Sequence, residues 1–112
     1  MSSIEHYTAS LSDEAPPPDA DLALQALWWA GKRDWDRAHG CVQQCEGTKR
    51  CDWVHAHLHR VEGDMENAGY WYSRAGQPVS TVSIEDEWAG IAAALIRETE
   101  RNPSTPATET RP

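Results

Sequence analysis

The chain contains no phenylalanine; six tryptophans and three tyrosines supply its aromatic bulk. Each of these rings has an apolar body and a polar edge that needs a partner when buried. Cations are also scarce: 10 Lys and Arg face 18 Asp and Glu, a net charge of −8 with histidine neutral. That balance argues against a nucleic-acid partner, whose phosphates require a basic face. No apolar run reaches the roughly 18 residues that a membrane span takes. No charged-then-apolar leader with a small-residue cleavage site opens the chain. The expectation is a cytoplasmic protein without a membrane partner. Nucleophile elbow, phosphate loop and dinucleotide fingerprint are all missing. No enzyme class and no cofactor is therefore indicated by motif, although a site assembled in space leaves no local trace.

Cysteine is limited to Cys41, Cys45 and Cys51, with no C-x-x-C pair. An odd count without a leader reads as reduced thiols. Cys41 and Cys45 sit one helical turn apart, but a disulfide between them needs converging Cβ vectors. The expected role of all three is that of small, half-buried hydrophobes.

Both ends are poor in apolar periodicity. Residues 1–18 run into Pro16-Pro17-Pro18 and read as a flexible tail, since proline denies a helix its donors. Only Ile4, Tyr7 and Leu11 there have the spacing of a short docked helix. Residues 101–112 are polar, rich in Pro and Thr, and read as a disordered tail. Residues 19–100 make one small domain, which buries roughly 60–65% of its unfolded surface.

Within it the helical period predicts five helices, about 20–30, 35–46, 53–62, 65–75 and 84–99. Asp19, Asp34, Asp52 and Asp64 are the expected caps of the first four, and Ser83 with Asp86 resembles a capping box for the fifth. Gly31, Gly47, Gly63 and Gly76 are the expected stops. Trp35, Trp71 and Trp88 fall on apolar stripes. Gly63 followed at once by Asp64 makes a turn so tight that its helices must run antiparallel. The fold class read from this is all-α: two antiparallel hairpins and a C-terminal closing helix.

The chain also repeats itself at an offset of 30 residues: Ala26, Asp34 and Ala38 fall on Ala56, Asp64 and Ala68. Small residues on paired helices let the backbones approach, and the acid caps the second helix. The plan resembles the tetratricopeptide hairpin over 22–75, although the period differs from the roughly 34 residues of that repeat. A denser likeness lies in WVHAHLHRVEGDMENAGYWYSRAG at 53–76, preceded by ALWWAGKRDWDRAH at 26–39. It resembles a family of small, mostly bacterial proteins of unknown function with the signature WVHAxLHRxEGDxxNAxYWYxRAG after a Trp-rich DWxxAH segment. The resemblance implies a compact all-helical protein and brings no activity; the cysteines are not part of the signature.

Three groups of residues carry potential chemistry. His55 and His59 lie four apart on one helix face, with His57 turned away. Two such imidazoles can share a metal ion if further ligands arrive. Glu62 is on the same face, and His39 can come from the preceding helix. His39, His55, His59 and Glu62 are thus the candidate ligands for zinc or another divalent transition metal. The zinc-protease pattern is absent, since Ala56 stands where its Glu is needed. The plainer reading is a set of imidazoles hydrogen-bonded in an interhelical polar layer. The second group, Arg60, Glu62, Asp64, Asn67, Tyr70 and Arg74, surrounds the tight turn. Glu62 and Arg74 are expected to pair across it, and Tyr70 and Arg74 to touch. The group either locks the hairpin or offers Arg60 or Arg74 as a forked donor to a small anion or peptide carboxylate.

The third group is aromatic. Trp28 and Trp29 are successive helical residues, as are Tyr70, Trp71 and Tyr72, so each set cannot face one core unless neighbours grip the helix on two sides. Exposed members would serve as binding anchors. The functional expectation is a helical binding or adaptor module for a protein, peptide or small ligand. Its binding face would carry His55, His59, Arg60, Glu62, Asn67, Tyr70, Arg74, Trp28 and Trp29, with a homodimer through the Trp faces as one form of partner. The alternative is a metal-binding protein or metal-dependent enzyme.

Overall fold

The helical spacing of Ile4, Tyr7 and Leu11 brings the first segment down onto the rest of the chain in the computed structural model, which describes residues 3–101. Helix α1 (Ser3–Ala9) leads into a single 3-10 turn, Ser10–Ser12. The buried Tyr7 hydroxyl donates to the Leu24 carbonyl at 2.6 Å, and its ring stacks on Trp88. Ser10 accepts from the Trp28 indole at 3.0 Å, and the Lys32 ammonium donates to the Leu11 and Asp13 carbonyls. Residues 3–12 thus take the docked form rather than the flexible one expected of 1–18, and the three prolines connect them to the next helix. Of the tail expected at 101–112, Arg101 belongs to the last helix and 102–112 lie outside the described residues.

Side-chain caps set the remaining helix starts. Asp21 caps α2 (Leu22–Gly31), Asp34 caps α3 (Trp35–Gln43), Thr48 caps α4 (Lys49–Val61) and Asp64 caps α5 (Met65–Ala75). Ser83 accepts the Asp86 amide at the head of α6 (Ile84–Arg101). Two caps differ from expectation. Asp21 replaces Asp19, and α4 starts a turn early on Thr48, which leaves Asp52 inside the helix. There it is buried and accepts the Gly47 amide at 3.1 Å.

The offset of 30 is visible in the backbone. Helices α2 and α3 form one hairpin and α4 and α5 the next. In each turn the capping aspartate amide donates back to the same place in the preceding helix, Asp34 to Trp29 and Asp64 to His59, both at 2.9 Å. The left-handed residue sits at matching positions, Arg33 with φ +64° and Gly63 with φ +88°. Ala26, Ala38, Ala56 and Ala68 are fully buried, as close backbone packing requires. Helix α6 lies across α2 and α4 and closes the core over Leu27, Trp28, Val54, Leu58, Ile91 and Leu95. Among the described residues there is no strand. None of their helices is long and apolar enough to cross a membrane.

The cysteines are a second correction. Cys45 and Cys51 form a disulfide, with Cα atoms 6.0 Å apart, and Cys41 is the free thiol. Helix α3 ends at Gln43, before the expected 46, so Cys45 lies in the connecting loop and faces the first turn of α4. The Cys41 thiol is pushed up from its ordinary pKa by burial.

A three-histidine candidate metal centre

Helix α3 contributes His39, and α4 contributes His55 and His59 one turn apart, as the i, i+4 geometry dictates. The three imidazoles converge across the α3–α4 interface, with one ligand nitrogen from each lying within 4.8 Å of the others. The Nε2 atoms of His39 and His55 are 3.1 Å apart. Two nitrogens bound tetrahedrally to one zinc ion are separated by roughly 3.3 Å, given metal–nitrogen bonds of about 2.05 Å. One edge of a coordination polyhedron is thus already at its working length.

The surroundings hold these rings in place. Trp35 stacks on His39, and its indole donates to the Leu58 carbonyl at 2.7 Å. Trp71 stacks on His55 with centroids 3.8 Å apart, and His55 stacks in turn on His59. Glu62 meets the Nδ1 of His59 at 2.6 Å. A carboxylate against one imidazole nitrogen is the arrangement common behind metal ligands, where it orients the ring. Glu62 is not in the three-histidine set: its carboxylate is engaged with His59, and with His59 and Asp64 it makes a second, more exposed group of convergent donors.

Electrostatics favour free lone pairs. Burial, reinforced by His59 and His39, pulls the His55 pKa from 6.5 down to about 4. Burial and His59 also lower that of His39, against smaller opposing pulls from Glu62, Glu46 and Asp36. Both rings are neutral at pH 7. His55, only 2% exposed, keeps an Nδ1 with no hydrogen-bond partner. An unpaired buried polar atom costs roughly 1–3 kcal/mol.

The other proposed binding residues divide: Tyr70 and Arg74 lie against Trp71 beside the histidines, and the rest lie elsewhere. Arg60 turns away from the histidines: it joins Glu87 at 3.0 Å and also reaches the Ser80 hydroxyl and the Val82 carbonyl. Glu62 does not pair with Arg74. Arg74 instead donates to the Tyr70 hydroxyl at 3.0 Å, lies over the Trp71 ring and comes within 3.8 Å of buried Asp52. Asn67 is half-buried, and its backbone N–H donates to the Asp64 cap. Trp28 is fully buried, which removes it from any binding face. Trp29 is half-buried under the Arg37 guanidinium, 4.6 Å from the ring.

His57, on the opposite face of α4, anchors a buried polar group that nothing local in the sequence marks. Glu87 receives Nδ1 of His57 at 2.7 Å, the Tyr72 hydroxyl and Arg60. Burial would raise the Glu87 carboxyl, but the hydrogen bonds from His57 and Tyr72, with Arg60 adding to them, hold it below the usual carboxylate value. An acid at the buried phase of a helix stripe is the one available sign, and the predicted stripe of α6 passes beside it through Trp88. No protein-family model, curated protein or solved structure matches the chain.

Proposed function

We propose that the protein is a small helical binding module whose ligand is a divalent transition-metal ion, held by His39, His55 and His59. The observation that carries this reading is the convergence of three ligand nitrogens within 4.8 Å, two of them 3.1 Å apart. Neutral rings favour binding, because no proton must first be displaced. Glu62 acts behind His59 as an orienting base. Three protein ligands leave a fourth position for water or a small ligand, the arrangement of zinc sites that exchange ligands. Trp35, Trp71, Tyr70 and Arg74 form the surroundings of that site. The scaffold shares with the tetratricopeptide plan its paired small residues and capped second helix.

The test is calorimetric titration of the chelator-stripped full chain with Zn²⁺ and Ni²⁺. One ion per chain is expected, with binding lost in His39→Ala/His59→Ala. Absence of binding to either ion, or unchanged binding in the double variant, would overturn the reading.

A further inference from the structure

The site draws one ligand from α3 and two from α4, and the Cys45–Cys51 disulfide ties the end of α3 to the first turn of α4. We infer that this disulfide controls metal affinity, so that the protein is a redox-gated metal site; the inference rests on the metal-binding reading above. His55 and His59 share one helix and keep their spacing whatever α3 does. The placement of His39 depends on the register of α3 against α4. Helix α3 buries Ala38 and Val42 and packs chiefly on α2; its contact with α4 is much smaller and runs through Trp35 and His39. Between Cys45 and Cys51 the loop passes through Gly47 with φ +98° and is pinned by the Asp52–Gly47 bond. The covalent bridge is the one link that cannot slide, and it lies within two turns of both His39 and His55.

The gating chemistry is thiol–disulfide exchange with a dithiol reductant. One thiolate of the reductant attacks Cys45 Sγ, on the more exposed of the two residues; Cys51 is 4% exposed. The Cys45–Cys51 bond breaks, and the Cys51 thiolate leaves and takes up a proton. The second thiolate of the reductant then attacks its own sulfur in the mixed disulfide. It releases Cys45 as a thiolate, which is protonated, and the reductant departs as a disulfide. Two electrons and two protons reach the protein. Helix α3 then shifts relative to α4, His39 leaves the cluster, and two histidines remain as ligands.

The experiment compares Co²⁺ affinity in the oxidised full chain and in Cys45→Ser/Cys51→Ser, which mimics the reduced state without offering thiols to the metal. A loss of at least tenfold is expected in the serine pair. The same comparison in a His39→Ala background should show no difference, because the ligand under redox control is gone. Should the serine pair lose its helical circular dichroism, Cys45→Ala/Cys51→Val, which restores apolar volume, carries the comparison. Equal affinity with and without the bridge overturns the inference and leaves the metal site standing. A redox effect that persists in His39→Ala assigns the coupling elsewhere and also overturns it. Failure of the oxidised chain to bind Co²⁺, Zn²⁺ or Ni²⁺ overturns the metal reading itself.

Discussion

Acid should destabilise the metal-free protein well above the range where carboxylates titrate. The cause is His55, whose pKa is 6.5 when unperturbed and about 4 in the fold. The unfolded chain therefore takes up a proton at this residue before the folded chain does. Stability rises with pH wherever the unfolded state binds more protons. The contribution is intact above about pH 7, declines as pH falls through 6.5, and stops declining below about 4. The full difference corresponds to about 3 kcal/mol, of which about 2 kcal/mol falls between pH 7 and pH 5. His39 shifts in the same direction and adds to the decline. The groups facing these rings are His59, Trp35, Trp71 and the Glu62 carboxylate behind His59. Urea unfolding of chelator-treated protein, followed by circular dichroism at pH 7 and pH 5, reads the loss directly. His55→Phe keeps a ring against Trp71 and removes the titrating nitrogen, so its loss over that interval should be less than half that of the native chain. A native chain equally stable at both pH values, or a His55→Phe variant as acid-sensitive as the native one, would refute the reasoning.

Three other outcomes follow from the same geometry. Arg33 holds a left-handed backbone where the repeat places Gly63. A side chain there costs roughly 1–2 kcal/mol, and glycine gives back roughly 0.5–1 kcal/mol in chain entropy. Arg33→Gly should therefore stabilise by about 0.5–1 kcal/mol, seen as a rise in denaturation midpoint; a fall would contradict the strain. Glu87→Gln leaves buried His57 and Arg60 without their carboxylate and should cost about 3–5 kcal/mol, read by urea denaturation, with metal affinity unchanged. Tyr7→Ala should cost about 3 kcal/mol through lost burial and the lost bond to Leu24; no measurable change would restore the flexible-tail reading of residues 1–18.

What the sequence made legible was local. The hairpins follow from caps and stops a few residues apart, and the repeat of Ala26, Asp34 and Ala38 carries straight into matching turns. His55 and His59 share a face because helical geometry permits nothing else. Illegible features depend on where a helix starts or on what lies across the core. Asp52 is a better-looking cap than Thr48 for a helix starting at 53, yet α4 begins at Lys49 and buries that acid. The early start carries Cys51 into the first turn opposite Cys45, and reading three reduced thiols follows from missing it. Arg60 could not be assigned either, because its partner Glu87 is 27 residues away on a helix whose crossing no spacing specifies. His39 stands between these cases. Its helix was legible, but its arrival at His55 depends on the contact between two helices joined by a loop of five residues, 44–48. That contact is the least locally determined part of the site, and it is also the part spanned by the only covalent cross-link among the described residues. On the proposed metal reading, His39 is therefore the ligand that breaking this bond would affect first.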